Sequence, residues 1–164
     1  MRILITGGSG LLALNWALKC RDSHNVHVTL HKRDVALKGT TSHRVALDNQ
    51  VELDKVLSEV RPEVVIHTAG LTDVDKCEEF PEISEKANLI IAGEVAIACA
   101  RHDISLVHIS TDHLFDGKNS LKNEEVTPNP LNEYAKHKAA AEFAVLSNYN
   151  KFEDNWDLIK KFLI

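Results

Sequence analysis

Short apolar runs alternate with longer amphipathic stretches along this chain, and few folds satisfy that alternation. Residues 2–6, 26–30, 64–67 and 104–109 read as strands, and 44–47 reads as another, third in chain order. Between them, Leu11, Leu14 and Leu18 recur at helical spacing beside Ala13 and Ala17, predicting a helix that packs closely on a sheet. Leu53, Val56, Leu57 and Val60 form a second helical face that Arg61-Pro62 ends, because proline disfavours helical geometry in the residue before it. A long helix is expected from 81 to 101, with Ala87, Ile91, Val95 and Ala98 on one side and Ile90 and Ile97 on another. A further helix runs from 132 to about 147. Strands that are nearly unbroken apolar runs suit a parallel sheet covered on both faces. Joined by helices, they make right-handed βαβ units. The predicted fold is α/β, a doubly wound parallel sheet.

The chain has 164 residues, 44% apolar and 26% charged, which suits one soluble globular domain. A formal net charge of −5 argues against nucleic acid and against an anionic membrane surface as partners. No apolar run approaches the roughly 20 residues that span a bilayer. Met1-Arg2 and three apolar residues precede Thr6-Gly7-Gly8, too few for a secretory signal, so a cytoplasmic address is expected. Cys20, Cys77 and Cys99 stand far apart and are read as buried reduced thiols. No histidine has the i, i+4 partner and intervening acid of a helical zinc site, so no metal is expected.

Gly7-Gly8-Ser9-Gly10-Leu11-Leu12-Ala13 sits where the first strand meets the first helix, with the spacing G-x-x-G-x-x-A. Gly7 allows a tight turn, Gly10 lets the backbone approach a pyrophosphate at the positive helix end, and Ala13 permits close helix–sheet packing. Gly7, Ser9, Gly10, Leu11 and Leu12 are the candidate dinucleotide contacts of this turn. A glycine motif alone is weak; its position between a strand and an amphipathic helix strengthens it. NAD binders tend to place an acid after the second strand. Here stand His31, Lys32 and Arg33, whose cations suit a 2′-phosphate, so NADP is favoured over NAD. Asp48 is either an acceptor for the adenine amino group or the cap of the helix beginning near Asn49.

Ser110-Thr111-Asp112 follows the fifth strand, at the carboxyl edge where open α/β sheets bind ligands. Tyr134 and Lys138 stand four apart and share a helix face. Ketone reduction needs a hydride and a proton for the forming alkoxide. A free tyrosine phenol titrates near about 10, and a neighbouring ammonium plus an oxidised nicotinamide favour its phenolate. A threonine hydroxyl such as that of Thr111 holds and polarises a carbonyl oxygen. Y-x-x-x-K alone is common by chance; joined to the glycine turn and to Thr111 it is specific.

These segments resemble the extended short-chain dehydrogenase/reductases, within them the dTDP-4-dehydrorhamnose reductase branch of sugar-nucleotide reductases. The carriers are residues 3–10, His67-Thr68-Ala69-Gly70, Ser110-Thr111-Asp112-His113-Leu114-Phe115-Asp116-Gly117, and Pro130-Leu131-Asn132-Glu133-Tyr134 running to Lys138. The likeness covers roughly residues 1–146. It implies a Rossmann dinucleotide-binding domain there, with Thr111, Tyr134 and Lys138 as catalytic trio. It also implies that Ala69 and Gly70 line the cofactor, that Lys138 holds the nicotinamide ribose, and that Asn88 is structural. The implied reaction is NADP-dependent reduction of a 4-keto-sugar nucleotide in deoxysugar or surface-polysaccharide synthesis. The alternative is a non-catalytic NADP-binding regulatory or truncated relative. His113 stands where the branch usually has tyrosine, and Ala135 where it has glycine. Residues 147–164 read as a divergent tail in place of a C-terminal substrate lobe, with Trp156, Ile159 and Leu163 at helical spacing to cover the sheet edge. Family habit and the two-faced long helix point to a homodimer.

Overall fold

A computed structural model describes residues 1–118, 122–123 and 125–148. The tail residues Trp156, Ile159 and Leu163 lie outside the described residues. Five strands, β1 (Arg2–Thr6), β2 (Asn25–Leu30), β3 (Thr40–Arg44), β4 (Val64–His67) and β5 (Ser105–His108), pair in parallel in the order β3-β2-β1-β4-β5. The helices are α1 (Leu11–Cys20), α2 (Gln50–Val60), α3 (Val74–Glu79), α4 (Pro81–Glu85), α5 (Ile91–Arg101) and α6 (Glu133–Asn148). This is the predicted α/β Rossmann-type arrangement.

Alternation within the central strand divides the core. Leu4 faces one layer with Val65 and Leu106, beneath Val56 and Leu57 of α2, Val95 and Ala96 of α5, and Ala141 and Val145 of α6. Ile3 and Ile5 face the other layer, with Ala13 and Ala17 of α1. The chain leaves β1 toward β2 and returns across it to β4, so the direction reverses between β1 and β4. Ligands of such sheets bind in the crevice outside the carboxyl ends at that switch point.

Several elements differ from the sequence-based expectation. The third strand is Thr40–Arg44, not 44–47. It is an edge strand whose register against β2 runs from Val26↔Thr40 to Leu30↔Arg44. Backbone pairing places this polar segment, whereas the apolar Val45 that follows drops into the core beside α2. On α1 the alanines, not the leucines, meet the sheet: Ala13 and Ala17 are 0% exposed while Leu11 is 81% exposed. Small side chains allow the close helix–sheet approach, and the leucines flank the contact. Helix α3 was not anticipated; Asp73 caps it by accepting from the Lys76 N–H at 3.1 Å. The long helix of 81–101 is present, but a π turn at Lys86–Ile90 interrupts its register. The turn buries Asn88 and leaves Ile90 45% exposed. Arg61 ends α2 in the left-handed region, at φ 48°, ahead of Pro62. Cys77 and Cys99 are buried free thiols, while Cys20 is only half-buried at the end of α1. Among the described residues no helix is long and apolar enough to cross a membrane.

Gly7 is required by both conformation and space. Its φ is +70°, and a Cβ there would stand 2.8 Å from the Ala69 Cα and 2.9 Å from the Ala69 nitrogen. Backbone cannot yield as a side-chain tip can. Gly7→Ala is expected to cost about 2–4 kcal/mol of stability, measured by urea unfolding. An unchanged midpoint would mean that the strand end and the Ala69 loop separate easily.

Candidate active site

The carboxyl ends of β1, β4 and β5 carry Thr6, His67 and His108. The Thr6 hydroxyl lies 2.8 Å from His67 Nδ1. His67 and His108 are register partners on adjacent strands, and their rings stack with centroids 5.5 Å apart and planes inclined by 18°. His108 Nε2 is 3.2 Å from Lys138 Nζ, and the same ammonium donates to the Ile109 carbonyl. A line of contacts therefore runs from the residue before the glycine turn to the lysine of the Y-x-x-x-K pair. That lysine reaches the same sheet edge as the turn.

On α6, Tyr134 is 9% exposed and Lys138 7%. Asn132 caps the helix, accepting from the Ala135 N–H at 2.8 Å. The His113 ring meets Tyr134 edge to face, with centroids 5.8 Å apart, so the residue departing from the usual tyrosine packs on the phenol. Thr111 lies just beyond β5 and its hydroxyl accepts from the His113 N–H at 3.2 Å, closing the short turn Asp112–Leu114. Burial pushes the Lys138 ammonium down to about 8, partly opposed by the Glu142 carboxylate. Burial holds both histidine rings neutral as well: His67 is lowered to about 3 and His108 to about 2, with the Lys138 charge as a second cause for each.

A second polar chain ties α6 to the loop after β4. Asn88 Oδ1 accepts from the Leu71 N–H at 2.9 Å and its Nδ2 donates to the Leu71 carbonyl at 3.0 Å. Nδ2 also reaches Ser84 Oγ at 3.2 Å, which lies 2.9 Å from His137 Nδ1 on α6. A Cβ on Gly70 would stand 2.9 Å from Asn88 Oδ1. Asn88 thus clamps the Ala69-Gly70 loop, in keeping with a structural role, and the π turn aims it there.

The glycine turn fits an anionic ligand. Gly10 caps α1 with no side-chain bond, and the first turn of the helix holds no acid, so its N–H groups keep their partial positive charge. A Cβ on Gly10 would meet only the Gly7 carbonyl, at 3.2 Å, leaving the backbone approachable. Ser9 lies half-buried in the turn, and Leu11 and Leu12 are exposed beside it. His31, Lys32 and Arg33 are exposed beyond β2. Arg44, at the end of β3, grips the His31 carbonyl and the Asp34 carboxylate, bringing a further cation to that turn. Sequence reasoning passed over Arg44 because it read that residue as the start of a strand. Asp48 does not cap α2; Asn49 does, accepting from the Val51 and Glu52 N–H groups. Asp48 instead pairs with Lys86 at 2.7 Å, and that bond holds its carboxyl below the usual range.

His67 and His108 were also passed over as neighbours of the candidate site. Their signal was present: each lies at the end of a strand preceding a site loop, and neighbouring strands put them side by side. Buried polar atoms without a protein partner among the described residues include His108 Nδ1 and Ser110 Oγ, both beside this site.

Residues 1–153 match the family described as RmlD substrate binding domain. The chain belongs to that family. It is 30% identical over 146 residues to a protein described as a probable low-salt glycan biosynthesis reductase, Agl14, of Haloferax volcanii, covering 88% of this chain and 49% of that one. It is 32% identical over 149 residues to methionine adenosyltransferase 2 subunit beta of Bos taurus, covering 90% and 43%. Among solved structures, dTDP-4-dehydrorhamnose reductase of Bacillus anthracis in complex with NADP superposes with a TM-score of 0.78 at 30% identity, covering 92% of this chain and 50% of that one. The chain spans about half the length of the relatives it matches.

Proposed function

We propose that this chain carries the cofactor site and reacting groups of an NADP-dependent reductase of 4-keto-sugar nucleotides, serving deoxysugar or surface-polysaccharide synthesis. The observation that carries the reading is Lys138, brought by its contacts with His108 and Ile109 to the edge where the glycine turn ends β1. Family membership and the NADP complex of the Bacillus anthracis relative support it.

Bound at this edge, a reduced nicotinamide supplies the hydride. The backbone of Gly7, Ser9 and Gly10 and the start of α1 hold the pyrophosphate, with Leu11 and Leu12 beside it. Lys32 and Arg33, with His31 and the nearby Arg44, meet the 2′-phosphate, and Asp48 remains the candidate acceptor toward the adenine. Ala69 and Gly70 line the nicotinamide half. The Thr111 hydroxyl orients the substrate carbonyl, and Tyr134 donates its proton to the forming alkoxide. Lys138 holds the ribose and stabilises the phenolate left behind. The test is loss of the NADPH absorbance band with a 4-keto-sugar nucleotide, assayed on a protein of the relatives' full length.

The cofactor preference is checked on the chain itself. NADPH at 100 times its dissociation constant is expected to raise Tm by about 5–10 °C. NADH at the same concentration gives a smaller rise, and replacing Lys32 and Arg33 by alanine brings the NADPH response down to it. Equal responses from the wild-type chain would remove the 2′-phosphate assignment.

A second reading, an NADP-binding subunit that serves a partner protein without turnover, draws on the 32% identity to a protein named as a subunit. NADPH binding without turnover on any keto-sugar nucleotide, together with cofactor-dependent capture of a partner, favours it. A homodimer belongs to the first reading; Ile90 at 45% and Phe143 at 66% exposure are apolar surface that such a contact would cover, and light scattering measures it.

A further inference from the structure

The two histidines at the strand ends have no part in the chemistry above, yet they stand directly behind the lysine. Lys138 is 7% exposed, and its ammonium has three N–H donors and no acceptor. One donor goes to the Ile109 carbonyl and one to His108 Nε2, 3.2 Å away. That leaves a single donor for ligand. A lysine on a flexible four-carbon stem is otherwise a mobile point charge.

The contact with the lysine sets the His108 tautomer. Because the ammonium only donates, His108 Nε2 accepts and its proton sits on Nδ1. Thr6 Oγ1 accepts from the Thr68 N–H at 3.2 Å and lies 2.8 Å from His67 Nδ1, so a hydrogen bond holds the His67 ring from behind. His67 is 2% exposed and braces the His108 ring by stacking.

We propose that His108, braced by His67 and Thr6, is the positioning residue that aims the Lys138 ammonium at the nicotinamide ribose and the tyrosine phenol. The inference rests on the reductase reading for what Lys138 does, but not for how it is held. The arrangement needs neutral rings, since a charged His108 would set cation against cation. Burial supplies that neutrality; Glu142 of the same helix acts on the Lys138 charge, and that charge acts in turn on His67 of β4 and His108 of β5.

The first test needs no variant. Nitrogen-15 NMR of the wild-type chain at pH 7 is expected to show His108 as the Nδ1–H tautomer. An Nε2–H tautomer at His108 would overturn the proposal, because that nitrogen would then donate. The second compares His108→Phe, which keeps the stacked ring and loses the acceptor, with His108→Gln, which restores an acceptor oxygen. His108→Phe is expected to weaken NADPH binding about tenfold or more, and to move the Lys138 titration, followed by carbon-13 NMR of its ε carbon, to lower pH. His108→Gln returns both toward wild type. Wild-type affinity and titration in a folded His108→Phe would sink the positioning role while leaving the reductase reading to its own assay; failure of the wild-type chain to bind NADPH would sink the reductase reading but not the tautomer result.

Discussion

Tyr134→Phe, in a protein of the relatives' full length, is expected to cut turnover of a 4-keto-sugar nucleotide by about 10²–10⁴-fold while leaving NADPH affinity within about twofold. The phenol is the one group proposed to deliver the proton, and phenylalanine keeps the ring against His113 and the burial on α6. The loss should therefore fall on kcat rather than on binding. Stopped-flow hydride transfer measures the step itself. Turnover equal to wild type would transfer the proton donor to another group, with Asp112 and His113 the nearest alternatives on the turn after Thr111. The regulatory reading makes the opposite statement, namely that neither protein turns over and both bind cofactor alike.

Acid is expected to unfold the chain early, and two buried histidines contribute a large part of the effect. His67 and His108 are held neutral in the fold, lowered to about 3 and about 2, chiefly by burial. In the unfolded chain each takes up a proton near about 6.5. Below that pH the unfolded state binds more protons than the folded one, so stability falls as pH falls, until the folded rings themselves titrate. Between pH 7 and pH 4.5 the two rings together should remove on the order of 3–5 kcal/mol. Against a total of about 5–15 kcal/mol for an ordinary domain, that loss is enough to bring unfolding within reach. Urea midpoints at the two pH values measure it. His67→Gln and His108→Phe should each shrink the difference, because each removes one proton uptake. A midpoint that does not move between pH 7 and 4.5 would show that both rings are reached by solvent and protonate in place. Bound NADPH should protect, since it closes the edge above them.

The same two rings show where reading the chain stopped. Each strand that enters the core was visible as a mainly apolar run, because burial on both faces disfavours polar side chains there. The edge strand was misplaced for the complementary reason: Thr40–Arg44 is held by backbone pairing with β2, and its side chains record little of that. The π turn was invisible because a single inserted residue leaves the composition of a helix unchanged and alters only which face looks inward. On α1 the leucine spacing marked the flank of the contact, while Ala13, read as permitting close packing, lies in it, because close packing on a sheet rewards the smallest side chains.

At the candidate site, the residues that repeat at short range were legible. The glycine turn, the tyrosine and lysine one helical turn apart, and the hydroxyl after β5 are local patterns, set by backbone conformation over a few residues. Their common location at one sheet edge follows from parallel strands ending together. What supports them is not local. Asn88 reaches Leu71 across 17 residues, Lys138 reaches His108 across 30, and Thr6 meets His67 across 61. Strand order, register and side-chain reach bring such pairs together, and none of these is written in spacing along the chain. The alternating apolar pattern was enough to specify a parallel sheet with its ligand edge, because burial acts on every residue in turn. Which polar groups touch beneath that edge was decided by packing, because a hydrogen bond of about 3 Å depends on the relative placement of whole elements.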